Sequence, residues 1–338
     1  MRYSIFSVQD HYPQRERDQQ TLYAQILRQC ELADALGYDT FFVAEHHFHE
    51  YGVVPNPAVM LAAMAQRTSR IRLGSAISIL TFHHPLTVAE SYAMVDLLSG
   101  GRLVMGVGSG YLKHEFAGYR VDPAEKRERF DEHLEVFTRA LAGERVTFKG
   151  RFIEVEDVQI NVLPLQRPSP PVYVAILRRE AAYYVGRAGR KIIFVPYASV
   201  ERFEEIGDLV ADYRRGQAEA GVAPTDEDIL LALHTHVAES DPAARRDAAA
   251  PFDLYVATRL YAKRQTYDDV MRSELSLMGS VETVADKLMS LQGMGVRHVL
   301  TLQNFGLMSQ ETVESSMTRL MERVAPKVAQ QAGTREAA

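Results

Sequence analysis

Five of the eleven histidines fall in two short clusters, Ala44-Glu45-His46-His47-Phe48-His49-Glu50 and His83-His84. Imidazole changes charge near neutral pH, so such a group can abstract or donate a proton, or ligate a metal. Any one of these histidines could equally serve only as a hydrogen-bonding group in a loop; the Glu-His-His trio taken together points to a site. A second feature is the run Gly106-Val107-Gly108-Ser109-Gly110-Tyr111. It does not match G-x-G-x-x-G, and Ser109 does not sit in a G-x-S-x-G elbow, so a dinucleotide fingerprint and a hydrolase nucleophile are both unsupported. Its glycines would let a flat ligand or a phosphate approach the backbone, although a plain tight turn has the same composition. A third is Ile176-Leu177-Arg178-Arg179-Glu180, where arginines meet the exposed N–H groups of a helix start, an arrangement that binds anions. Lys126, Arg127 and Arg129, at the start of another helical pattern, could converge on the same anion.

The elements that position these groups alternate along the chain. Apolar, β-branched runs at 3–8, 40–44, 71–79, 103–107, 172–176, 191–196, 229–236 and 298–303 read as eight strands. Their near-continuous apolar character suits strands buried on both faces of a parallel sheet. Helical patterns at 22–36, 57–67, 85–98, 124–141, 180–188, 200–220, 242–261, 281–294 and 309–327 lie between and after them. Eight β/α alternations predict an α/β fold, a single (β/α)8 TIM barrel over 1–330, whose catalytic groups come from the carboxyl ends of the strands. The Glu-His-His trio, His83-His84, the glycine run and the Leu177-Arg178 pair all follow predicted strands directly. Insertions at about 143–170 and 261–279 are expected over that C-terminal face, and 331–338 is expected to be a frayed tail.

Composition narrows the setting. With 338 residues, a formal net charge of −6 and 46% hydrophobic residues, the chain is neither disordered nor a basic nucleic-acid binder. The lone Cys30 excludes an internal disulfide and a C-x-x-C site, and fits a reducing compartment. The start, MRYSIFSVQD, lacks a signal-peptide core, and no run of about 18 apolar residues exists to span a bilayer. A cytoplasmic protein without membrane or nucleic-acid partners is the expectation.

The stretches AEHHFHEYGVVPNP, RIRLGSAISIL, HHPLTVAESYAMVDLLSGGRLVMGVGSGY, PPVYVA and NFGLMSQETVESSMTRLMERVAP occur in an order and spacing that resembles the bacterial luciferase-like flavin-dependent monooxygenases, from about residue 3 to 327. The resemblance implies a TIM barrel that takes reduced FMN (FMNH2) from a separate NAD(P)H:flavin reductase. It further implies reaction of that flavin with O2 to a flavin hydroperoxide, which oxygenates a small organic substrate. His46 falls at the family's essential histidine beside the flavin, with His47 as a second catalytic candidate; His47 and Glu45 would orient it or contact the ring. Ala76 and Ile77 match a non-proline cis peptide behind the flavin. Gly108, Ser109 and Gly110, with Ala175, match the cofactor's lining, and Arg127, Leu177, Arg178 and Arg179 its phosphate end. The luciferases carry an arginine at the position of Ser109 and a Glu-Ser pair at Leu177-Arg178, which implies that the positive charge has moved from the fourth strand to the fifth. A homodimer through the apolar faces of 57–67 and 85–98 is also implied.

Three other readings were weighed. A deazaflavin-dependent dehydrogenase would use the same barrel, but tends to carry Asp-His where this chain has Glu45-His46. A metal-dependent barrel hydrolase could use the H-x-H pairs His47/His49 and His234/His236. The fifth and sixth strands offer no histidine, however, and the eighth ends in Gln303-Asn304, so no metal is expected. A non-catalytic flavin-binding barrel is disfavoured by His46.

Overall fold

The computed structural model describes residues 1–258 and 265–336. Its strands are β1 (Arg2–Ser7), β2 (Thr40–Val43), β3 (Arg72–Ile79), β4 (Leu103–Gly108), β5 (Val146–Lys149), β6 (Glu154–Val158), β7 (Val172–Ile176), β8 (Lys191–Phe194), β9 (Ile229–Ala238), β10 (Leu277–Ser280) and β11 (His298–Leu302). Its helices are α1 (Gln19–Leu36), α2 (Pro57–Ala65), α3 (Pro85–Ser99), α4 (Lys113–Tyr119), α5 (Lys126–Leu141), α6 (Ala181–Arg187), α7 (Pro196–Ser199), α8 (Glu205–Glu219), α9 (Asp241–Thr258), α10 (Tyr267–Arg272), α11 (Val281–Gly293), α12 (Gln310–Arg319) and α13 (Ala325–Glu336).

Strands β1, β2, β3, β4, β7, β8, β9 and β11 pair in parallel, and the β8–β9 pairing closes them into the expected eight-stranded barrel. All ten residues of β9 are buried, as a strand covered by helices outside and by packed side chains inside must be. The interior is filled by Phe42, Ala76, Val104, Tyr173, Ile193, Leu230, Ala232 and Leu300. Towards the carboxyl ends of the strands this packing finishes in Phe6, Ala175 and Val195, which are only partly covered. They form an apolar floor at the barrel mouth.

Local signals explain most boundaries. Asp18 caps α1 by accepting the Thr21 N–H, and Gly37 ends it in the left-handed region at φ 83°. Asn56 precedes Pro57 at the start of α2 but makes no side-chain cap bond. The helical pattern at 200–220 is found as α8, which starts at Glu205, with the short α7 ahead of it, and the last three residues of the pattern at 242–261 lie outside the described residues.

The insertion at 143–170 contains the antiparallel hairpin β5–β6. It runs along α5: the Glu132 carboxylate accepts the N–H groups of Arg151, Phe152 and Ile153. Arg151 at the tip pairs with Glu125 and Glu128 around the first turn of α5, at the mouth end. Its return is tied to the opposite rim, where Asp96 accepts the N–H groups of Leu165 and Gln166. In the second insertion, residues 261–264 lie outside the described residues; the remainder forms α10 and β10, which adds a short parallel pairing beside the end of β9. The segment expected to fray continues as helix α13 through Glu336, consistent with its Ala, Gln, Arg and Glu content. Residues 337–338 lie outside the described residues. Among the described residues no helix is long and apolar enough to cross a membrane.

Candidate active site

Strand β2 ends at Val43, and the next residues place the Glu-His-His trio on the barrel rim. The three side chains do different work. Glu45 is buried and takes four hydrogen bonds: His47 Nε2 at 2.9 Å and His83 Nε2 at 2.7 Å on Oε1, Ser78 Oγ at 3.1 Å and the Ile79 N–H at 3.0 Å on Oε2. Burial pushes its carboxyl up, but the donated bonds from His47 and His83 outweigh this and hold it down at about 2. Glu45 is therefore an ionised hub that ties the β2 loop to the end of β3. The other ring nitrogen of His47, Nδ1, lies 3.1 Å from the Tyr119 hydroxyl. With Nε2–H donated to Glu45, Nδ1 meets the Tyr119 hydroxyl, so both ring nitrogens are held and the ring is oriented.

His46 turns the other way. Its Nδ1 lies 3.2 Å from Glu115 Oε1, and the same oxygen accepts the His47 N–H at 3.0 Å. Glu115 is 0% exposed, so the imidazole donates Nδ1–H to the carboxylate and carries its lone pair on Nε2. The Tyr51 ring packs edge-on against His46 with centroids 4.4 Å apart, and the Tyr51 hydroxyl lies 2.8 Å from that of Tyr111. His46, 8% exposed, lines a cavity of about 660 Å³ with His11, Tyr23, His49, Gly52 and Val53. An imidazole held this way can exchange a proton with a bound molecule or hydrogen-bond to an oxygen developing charge.

The mouth floor brings together residues from three neighbouring strands. The Ala76–Ile77 peptide bond is cis, where the resemblance places one, and the β3–β4 register shifts between Ser75 and Ser78. Gly108 lies against this bend: a Cβ there would sit 2.3 Å from Ile77 Cδ1 and 3.8 Å from Ala175 Cβ. Ile77, Gly108 and Ala175 are thus adjacent, and Gly110 follows at φ 74°. Ser109 and Leu177 are half-buried beside them in sequence.

The basic residues divide into two sets. Arg127 is 68% exposed and pairs with Asp131 at 3.0 Å. Arg179 spends its guanidinium on Asp212 at 3.0 Å and Asp208 at 3.3 Å, both on α8. Arg129 stacks on Phe152 and approaches Glu125. By contrast, burial and the charge of the nearby Arg178 both lower the Lys126 ammonium. Neither Lys126 nor Arg178 has an acidic partner among the described residues. Lys126 and Arg178 therefore stand close together near the start of α5.

The histidine pairs do not make a hydrolase centre. His49 stacks on His114, with ring centroids 5.2 Å apart. His234 is buried among the rings of Tyr197, Phe252, Tyr255 and Phe305. The His236 Nε2 lies 3.7 Å from Asp247 Oδ2.

Sequence reasoning missed Glu115 and Tyr119. They stand four residues apart on α4, so they share the face turned to the β2 loop. The available signal was that spacing, in a segment whose polar residues and Gly118 read as loop.

Comparison with known proteins agrees with this geometry. The model of the luciferase-like monooxygenase family matches residues 1–298. The crystal structure of monooxygenase RslO1 from Streptomyces bottropensis superposes with a TM-score of 0.90 at 30% identity, over 97% of this chain and 99% of that one. The oxygenase component of a flavin-dependent trigonelline monooxygenase from Acinetobacter baylyi is 25% identical over 351 residues, 96% of this chain and 95% of its own. An F420-dependent glucose-6-phosphate dehydrogenase from Amycolatopsis mediterranei is 32% identical over 210 residues, 60% of this chain and 62% of its own. Matched by the family's model over most of its length and by relatives along the whole barrel, the chain belongs to the luciferase-like monooxygenase family.

Proposed function

We propose that this protein is the oxygenase component of a two-component flavin system. It would receive reduced FMN from a separate NAD(P)H:flavin reductase and use it with O2 to oxygenate a small organic substrate. The observation that carries the reading is the pair Lys126 and Arg178, without an acidic partner among the described residues, at the same end of the barrel as His46. A phosphate accepted by that pair would leave the ring system over Phe6, Ile77, Ala175 and Val195. Reduced FMN supplies the electrons that activate O2. The chain's own residues bind and orient: Gly108 leaves room beside Ile77, Glu45 and Ser78 hold the end of β3, and Glu115 presents His46 with Nε2 able to take or hold a proton at the reacting edge. Tyr51 and Tyr111 shield His46 from bulk water.

A deazaflavin-dependent dehydrogenase is the second reading, favoured by the F420-dependent relative. Titration of the protein with photoreduced FMN and with reduced deazaflavin, each without O2, separates the two. Saturable binding of FMN at least tenfold tighter than that of deazaflavin, followed by substrate-dependent O2 uptake, supports the oxygenase. The reverse order, with hydride transfer to the deazaflavin, supports the dehydrogenase.

The remaining proposals concern setting. Val59 on α2 and Met94, Leu97 and Leu98 on α3 are large apolar side chains left exposed. They form a face suited to a twin subunit in a homodimer. A cytoplasmic location accords with the buried, unpaired Cys30.

A further inference from the structure

The Glu45 hub has a second property that proton chemistry at His46 does not use. We propose that Glu45, His47 and His83 form a binding site for a divalent cation of the zinc class. The three donor atoms, Glu45 Oε1 and the Nε2 atoms of His47 and His83, all lie within 4.8 Å of one another. Two imidazoles and a carboxylate are a zinc donor set, with ligand distances of about 2.0–2.2 Å. Around a tetrahedral ion at those distances neighbouring ligand atoms stand roughly 3.3–3.6 Å apart. The present separations of 2.9 Å and 2.7 Å from Oε1 therefore need to open by roughly 0.4–0.9 Å.

The surroundings are those of a supported site. Metal-bound histidines and carboxylates are normally held from behind by a further hydrogen bond. Here Glu45 Oε2 is held by Ser78 and Ile79, and His47 Nδ1 by Tyr119. Starting from uncharged rings, each donating Nε2–H to Glu45, the proton balance closes without an outside base. When Nε2 gives its lone pair to the ion, the ring proton resides on Nδ1. For His47 the Tyr119 hydroxyl oxygen then accepts that proton, and for His83 solvent does, since its side chain is 30% exposed. The same exposed edge gives the ion an entry path and leaves room for a water as fourth ligand. Occupancy would clamp the β2 loop to the end of β3, beside His46.

Titration of untagged, EDTA-treated protein with Co2+, followed by visible absorption, and with Zn2+ by calorimetry, tests this. The expected result is one equivalent bound with a four-coordinate Co2+ spectrum. His83→Ala and His83→Gln should each lose at least tenfold in affinity, the glutamine variant keeping a hydrogen-bond donor towards Glu45 and hence the fold. His49→Ala, which removes one ring of the stacked pair nearby, should bind as before. Absence of saturable binding, unchanged affinity in His83→Gln, or loss of binding on changing His49 would overturn the assignment.

Discussion

Replacing Glu115 by glutamine separates what this residue does for folding from what it does for His46. The carboxylate is fully buried, and its Oε1 accepts both His46 Nδ1–H at 3.2 Å and the His47 N–H at 3.0 Å. Hydrogen bonds to a charged acceptor contribute about 1.5–3 kcal/mol each, against about 0.5–1.5 for neutral pairs, so loss of the charge costs roughly 1 kcal/mol per bond. Oε2 has no hydrogen-bond partner among the described residues. An amide NH2 at that place adds a buried donor to satisfy, at about 1–3 kcal/mol. If the amide flips, its NH2 donates to His46 Nδ1 and moves the ring proton to Nε2, the wrong nitrogen for accepting a proton, while the His47 N–H loses its acceptor. Glu115→Gln is therefore expected to be destabilised by roughly 3–5 kcal/mol, read as a lower urea midpoint at unchanged slope. Its substrate oxygenation should fall by about 10²-fold, the scale of a lost acid–base contribution, with reduced-flavin affinity changing only a few-fold. Unchanged turnover in a folded variant would show that His46 does not depend on Glu115.

Other expectations follow from the same geometry. Arg178→Ala and Lys126→Ala should each weaken binding of reduced FMN by about 1.5–3 kcal/mol, whereas Arg127→Ala and Arg179→Ala, whose charges are already paired with acids, should bind within twofold in the same titration; the opposite ranking would relocate the phosphate. Glu45 is held down at about 2 from an ordinary 4.5, so its stabilisation is complete above that ordinary value and is lost as pH falls towards 2. Acid unfolding followed by circular dichroism should show a shallower loss over that window in Glu45→Gln; an identical acid limb would mean that the hub is not ionised. Leu97→Glu and Met94→Glu should halve the mass seen by light scattering at micromolar concentration if α2 and α3 form the dimer face, and an unchanged mass would place any dimer elsewhere.

The barrel was legible because parallel strands buried on both faces are rich in apolar residues, most plainly Lys191–Phe194 and the first half of β9. The strand read at 229–236 runs on to Ala238, and β10 was not read because Gly279 and Ser280 interrupt its apolar pattern. The Glu-His-His trio announced a site, yet not the division of labour within it. Whether His46 or His47 faces a cavity depends on which carboxylate each meets, and Glu115 comes from a short helix whose composition reads as loop. The basic run Lys126-Arg127-Glu128-Arg129 shows the limit most clearly. Adjacent helix positions differ by about 100° in direction, so charge alone does not decide which cation faces the mouth. The acid four residues after Arg127, Asp131, was the available hint that this arginine was already paired. The Arg179 partners lie on α8, distant in sequence, and only the fold brings them there.

The central claim is that His46, held by Glu115, acts on O2 chemistry driven by flavin bound at this mouth. Anaerobic titration of photoreduced FMN into the native chain and into His46→Ala, followed by mixing with O2 and substrate and quantification of oxygenated product, tests it most directly. The account predicts flavin affinities within a few-fold of each other and a product yield lowered by roughly 10²–10⁴ in the variant. Equal product from both proteins, or no saturable FMN binding by the native chain, would contradict it.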